Sequence, residues 1–268
     1  MDIDKIERFV RLSRMPGIGV ICQNRLIKLC EGIEGCFTLP LDEMIYREKL
    51  IDKAYRIGTK RLEVFAEYRD SQGVTDDTKA ILKTCQQKSI NVVVKVSLEY
   101  PNRFKGIPDM PVVLYTRGIL QINDYSRSAG VIGARRCSTE GKNTAISITE
   151  KEIQSGSAII SGMAKGIDSY AHTAAIKTGG YTIAVLGSGP DICYPMEHEK
   201  LYEEIADHGC VLSEYPPSTL PRSYMFPKRN RLIAALSDVV YVIDAGRHSG
   251  TETTSAYCRL YGKTVEYL

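Results

Sequence analysis

Apolar residues are spaced in two different ways along this chain, and the change falls near residue 90. Before it, Ile3, Ile6, Phe9, Val10 and Leu12 recur at helical intervals. Met15-Pro16-Gly17-Ile18-Gly19 interrupts the pattern, and the run from Cys22 to Leu29 restarts it. Amphipathic segments over 41–49, 57–69 and 76–88 complete a helical first part with no strand before residue 90. Beyond it the apolar residues form short, β-branched runs at 92–94, 112–114, 130–132, 158–160, 182–186, 210–212 and 239–243. Helical patterns over 141–155, 167–178, 198–208, 228–236 and 251–261 separate most of them. Near-continuous apolar strands alternating with helices predict an α/β fold with a mostly parallel sheet covered on both faces. The expected organisation is a small all-helical domain over 1–85 and an α/β domain over 86–268. No Gly/Ser linker, internal repeat or low-complexity tract appears between or within them.

Ligands of such sheets sit outside the carboxyl ends of the strands, and three glycine turns fall at those ends. The richest is Ser161-Gly162-Met163-Ala164-Lys165-Gly166-Ile167-Asp168, with His172 one helical turn further on. A strand that ends in Ser-Gly and restarts as a helix gathers free backbone N–H groups at one point, an arrangement suited to phosphate. Asp168 reads as a cap of the following helix, and His172 as a hydrogen-bonded neighbour of that cap rather than a general base. Gly133-Ala134-Arg135-Arg136 adds guanidinium forks for phosphate oxygens. Ser138-Thr139-Glu140-Gly141 then opens a second anion-friendly helix terminus. Gly187-Ser188-Gly189 lacks the third glycine and the following helix of a dinucleotide fingerprint, so it is a poor nicotinamide-cofactor signal.

Phe226-Pro227-Lys228-Arg229-Asn230-Arg231 is the densest basic cluster and stands at a helix start. Tyr224 and Phe226 beside it are candidates for stacking on bases, while Asn230 reads as a residue that holds a loop. Near the chain end, Ser249-Gly250-Thr251 again joins a strand to a helix start and offers donors and hydroxyls. Pro16-Gly17-Ile18-Gly19 between two helices resembles a helix-hairpin-helix turn; tight packing of the two helices explains its glycines as well.

Bulk composition narrows the function. With 43% hydrophobic residues, 25% charged residues and a net charge of +3, the chain is an ordinary folded sequence, and a nucleic-acid site must be a local patch. The eight cysteines contain no Cys-x-x-Cys pair, so no metal framework is expected. A charged, helical start argues against a signal peptide. No apolar run approaches the roughly 20 residues that span a bilayer. A cytoplasmic location with reduced thiols is the expectation.

The order of motifs resembles the DprA family, also called Smf, the DNA-processing proteins of natural transformation. The resemblance is carried by Tyr100-Pro101, Gly-Ala-Arg, SGMAKGIDSYAH, TIAVLGSGPDICYP, LSEYPP, FPKRNRLIAALSD and the terminal SGTETT. It is dense over about residues 95–262. The helical first part, with its Pro-Gly-Ile-Gly, looks like the family's sterile-alpha-motif-like domain. The resemblance implies an extended Rossmann-like domain that binds single-stranded DNA in a basic pocket, forms a homodimer and helps load RecA. It assigns phosphate contacts to Arg135 and to the Phe226–Arg231 segment. The residues expected at the DNA are Gly133, Arg135, Arg136, Ser161, Gly162, Lys165, Gly166, Gly187, Lys228, Arg229, Asn230, Arg231, Ser249, Gly250 and Thr251. No cofactor, metal or catalytic residue is expected.

Two departures stand out. The final motif is Ser-Gly-Thr-Glu-Thr-Thr where the family more often has Ser-Gly-Ser-Leu-Ile-Thr, and Glu252 brings a negative charge to that helix start. The chain also stops at Leu268, without the family's usual Pro-Gly continuation or winged-helix tail, the region of its dimer contacts. Two rival readings follow. A nucleotide enzyme or sensor related to phosphoribohydrolases of the same fold group would need Pro-Gly-Gly-x-Gly-Thr-x-x-Glu. Here Glu252 is two positions out of register, roughly 200° around the helix. A DprA-like protein diverted to another DNA-linked role, such as defence or mobile-element biology, is the other.

Overall fold

The computed structural model describes residues 2–246 and 250–268 and divides the chain into two compact units, one of residues 1–97 and 106–114, the other of 98–105 and 115–268. The first unit carries the helices α1 (Ile3–Arg14), α2 (Val20–Leu29), α3 (Ile33–Thr38), α4 (Leu41–Lys49), α5 (Thr59–Arg69) and α6 (Gln72–Gln87), and strand β1 (Asn91–Val94). α1 packs on α6, burying Phe9, Val10 and Leu12. The turn between α1 and α2 is shaped by Gly17 in left-handed backbone, with Ile18 tucked into the core and Gly19 at the N-cap. Asn24 ties segment 106–114 to α2, donating to the carbonyls of Pro108 and Met110.

The second unit takes in residues 98–105 first and then the rest of the chain from Tyr115, within β2 (Val113–Gly118). Then follow β3 (Ser128–Gly133), α7 (Thr139–Gln154), β4 (Ala158–Ser161), α8 (Ile167–Lys177), β5 (Thr182–Val185), α9 (Glu199–His208) and β6 (Cys210–Ser213). The unit ends with α10 (Met225–Leu236), β7 (Val239–Ile243), α11 (Thr251–Leu260) and β8 (Thr264–Tyr267). The strands lie in the order β2-β6-β5-β4-β3-β7-β8. β2 runs antiparallel to β6, and the pairs from β6 across to β8 are parallel. β4 and β5 are buried along their whole length, as apolar strands covered on both faces must be. Ala129, Val131 and Ile159 pack under α7 and α8, and Val211 and Leu186 under α9.

This order creates a switch point. From β3 the chain winds through β4 and β5 to β6 on one side, then returns to place β7 on the other side of β3. The loops after β3 and β7 therefore diverge and leave a crevice at the carboxyl ends of those strands, the standard ligand position in open parallel sheets. No helix among the described residues is long and apolar enough to cross a membrane.

Candidate nucleic-acid interface

A cleft of about 620 Å³ occupies that crevice. Its floor is the end of β3 with Gly133 and Ala134; Arg135, Tyr194, Phe226, Asn230, Gly250 and Thr251 are among its lining residues. Arg135 and Arg136 are both exposed. Tyr194 and Phe226 bring their rings to 5.3 Å, tilted by 36°. Cations and aromatic rings thus share one concave surface, the combination that takes phosphates and bases together.

The basic cluster of α10 is more divided than its sequence suggests. The helix begins at Met225, three residues ahead of the expected start, and because successive residues turn by about 100° around it, Lys228, Arg229 and Arg231 point in different directions. Arg229 is 5% exposed and turns inward. Its guanidinium donates to the Gly162 carbonyl at 2.5 Å, to the Val185 carbonyl, and to Asn230 Oδ1 at 3.2 Å. Burial pushes its pKa down to about 10, with Asp168 opposing the shift and Arg135 adding to it. Arg231 is buried too and grips Glu214 with both terminal nitrogens, at 3.0 and 2.6 Å. Lys228 remains half exposed, 3.6 Å from Glu214 and over the ring of Tyr215. Asn230 holds a loop as expected, donating to the Gly250 carbonyl at 3.2 Å. Much of this cluster clamps the carboxyl ends of the sheet together, and Lys228 is its solvent-facing charge.

The Ser161–Asp168 turn also differs from expectation. Asp168 does not cap α8, whose N-cap is Gly166. It reaches back instead, and its carboxylate accepts from the N–H groups of Gly162 at 3.1 Å and Ala164 at 3.2 Å. Those amides are therefore engaged by the protein itself, and Ser161 Oγ donates to the Val131 carbonyl at 2.6 Å. Burial raises the Asp168 pKa, while Arg229 and the amides pull it back. His172 is fully buried on α8, its Nδ1 2.8 Å from Thr182 Oγ1. Thr182 Oγ1 donates to the Ile159 carbonyl, so His172 supplies the other proton and is the donor. Burial drives its pKa down to about 3. It is a neutral packing residue whose hydrogen bond goes to Thr182 of β5. Lys165 is exposed and paired with Glu197 at 2.5 Å.

The glycines serve the protein's own close contacts. A Cβ at Gly133 would lie 2.1 Å from the Ile243 carbonyl, and one at Gly166, itself in left-handed backbone, 2.2 Å from the Ala134 carbonyl. At Gly162 it would meet the Arg229 guanidinium at 2.7 Å, and at Gly187 the Phe226 ring at 2.9 Å. Gly250 and Thr251 open α11 at the cleft. Ser249, with Arg247 and His248, lies outside the described residues. The structure thus brings Gly133, Arg135, Arg229, Asn230, Gly250 and Thr251 to the cleft and directs Arg231 elsewhere.

A family model described as DNA recombination-mediator protein A matches residues 91–268. The chain belongs to the DprA/Smf family. It is 32% identical to Protein Smf of Synechocystis over 94% of its own length and 62% of that protein. It is 35% identical to the DNA processing protein DprA of Bacillus subtilis over 69% and 62%, and 39% identical to that of Streptococcus pneumoniae over 62% and 58%. The chain therefore spans about three-fifths of the length of these curated relatives. The crystal structure of DprA from S. pneumoniae superposes with a TM-score of 0.67 at 29% identity, covering 91% of this chain and 86% of that one. That of DNA processing protein A from Helicobacter pylori, described for its single-stranded DNA binding mode, gives 0.61 at 30% identity, covering 66% and 80%.

Tyr194 lines the cleft, yet in the sequence it stands only inside the TIAVLGSGPDICYP motif, with no role of its own. It follows the third glycine turn in a stretch with no helical or strand period, and only its position beside Phe226 marks it. Pro221 and Ser223, also at the cleft, come from an equally aperiodic loop.

Proposed function

We propose that this chain binds single-stranded DNA through the cleft at the carboxyl ends of β3 and β7, in a non-catalytic, DprA-type role in transformation and recombination. The observation that carries the reading is the placing of exposed Arg135 and the Tyr194–Phe226 ring pair around one cleft at the sheet's switch point. Arg135 would hold phosphates and the rings would take bases. Such a site has little sequence preference, because phosphate contacts and stacking act on any strand. The described H. pylori relative, with its single-strand binding mode, supports the same reading.

RecA as partner, a second copy of the chain and a cytoplasmic location belong to this proposal through the family resemblance. The direct test is fluorescence anisotropy of a labelled oligo-dT strand at several salt concentrations, with duplex DNA and nucleoside monophosphates as competitors. Binding that survives both competitors and falls with salt supports the proposal. Displacement by the monophosphates, with base release on incubation, would establish the nucleotide-enzyme reading instead. Acceleration of RecA filament formation on the same strand then tests the partner.

A further inference from the structure

We propose that Tyr194 is a stacking platform for one unpaired nucleobase, and that this contact gives the cleft its preference for single over double strands. The proposal rests on the single-strand reading above and adds to it a discriminating residue. Tyr194 lies in the segment that leaves β5, and 46% of its surface is open to solvent. Its ring is supported by that of Phe226, 5.3 Å away. Phe226 is itself seated from behind, over Gly187, where a single methyl group would come within 2.9 Å of its Cδ1. Both rings line the same cleft as Arg135. An inner ring packed over Gly187 thus backs an outer ring that stays in water beside a phosphate-binding cation.

The chemistry separates two kinds of ligand. An unpaired base has a free π-face, and stacking on an aromatic side chain stabilises the complex by about 1–3 kcal/mol per base. A paired base has both faces occupied by its neighbours in the duplex and presents only phosphates and groove edges to the cleft. Arg135 therefore acts on both kinds of strand, whereas Tyr194 acts on the unpaired one. Tyr224 is a natural control. It is more exposed, at 59%, and sits next to the same helix, but it does not line the cleft.

The test uses the full chain and three labelled probes of equal length: oligo-dT, a strand whose bases are replaced by abasic tetrahydrofuran units, and a blunt duplex. Wild type is expected to bind oligo-dT at least about fivefold more tightly than the abasic strand, the low end of one stacked base. Tyr194→Leu is expected to lose that difference by weakening on oligo-dT alone, Tyr194→Phe to keep it, and Tyr224→Ala to match wild type on all three probes. An equal loss on oligo-dT and the abasic strand would show that Tyr194 acts through the shape of the site and would overturn the proposal. So would an unchanged Tyr194→Leu, or a wild type indifferent to the bases. A wild type that binds no strand would refute the single-strand reading itself.

Discussion

Arg135 and Arg231 carry the same charge and are expected to behave in opposite ways. Arg135 is exposed at the cleft, so Arg135→Ala should weaken oligo-dT binding at least about tenfold, about 1.4 kcal/mol, and leave the thermal midpoint near wild type. Arg231 is buried on Glu214, so Arg231→Ala strands a buried carboxylate. That change should cost about 3 kcal/mol in urea unfolding, the lower part of the range for broken buried pairs, because Lys228 lies close enough to help. A loss of binding without a loss of stability in Arg231→Ala would contradict this division. His172 makes a separate prediction about pH. Its folded-state pKa, about 3, lies below the ordinary 6.5, so the unfolded chain takes up a proton first as pH falls. Stability from this residue is complete above pH 6.5 and declines toward pH 3, at up to about 1.4 kcal/mol per pH unit. His172→Asn keeps a donor for Thr182 and removes the titration. Its unfolding free energy should therefore fall less steeply than wild type between pH 6.5 and 4.

At the scale of elements, the turns between strand and helix respond according to what their glycines admit. Gly166→Ala forces a side chain into left-handed backbone and into the Ala134 carbonyl, so the turn between β4 and α8 must move. Gly187→Ala meets the edge of an aromatic ring, which can shift by a few tenths of an ångström. Thermal melts should show a clear loss for Gly166→Ala and a small one for Gly187→Ala, while anisotropy shows weaker oligo-dT binding for Gly187→Ala through displaced Phe226. The positions of these turns were legible because the period of apolar residues changes at each strand end, and β3 to β7 and their helices fall within a few residues of where that period puts them. The destinations of side chains were not legible. Arg229 and Arg231 read as surface charge because their partners, the Gly162 and Val185 carbonyls and Glu214, are supplied by distant segments. Asp168 reads as a cap because capping is local, whereas its loop bends back over it. Tyr194 lies in a stretch without periodicity, so only the fold reveals its ring neighbour.

For the whole molecule, a net charge of +3 supplies little long-range field, so the proposed binding would draw its charge from cations at the cleft. Of the expected cations, Arg135, Arg136, Lys165 and Lys228 remain exposed, the last two beside Glu197 and Glu214. Each phosphate neutralised on a single strand contributes about −0.7 to the slope of log affinity against log salt. If only the two arginines release counterions, the slope should be about −1.4. If both lysines leave their carboxylates for phosphates, it should approach about −2.8. Recruitment of Arg229 and Arg231 as well would take it to about −4.2, which would require the clamp across the sheet ends to open. A titration of oligo-dT binding between low and moderate salt therefore reads out how many of these charges face the DNA. The expected slope lies between the first two values. Lys165→Ala should flatten it only if that lysine exchanges Glu197 for a phosphate when the strand binds. A slope near −4 in wild type would mean that the two buried arginines are surrendered to the ligand and that the cleft rearranges on binding.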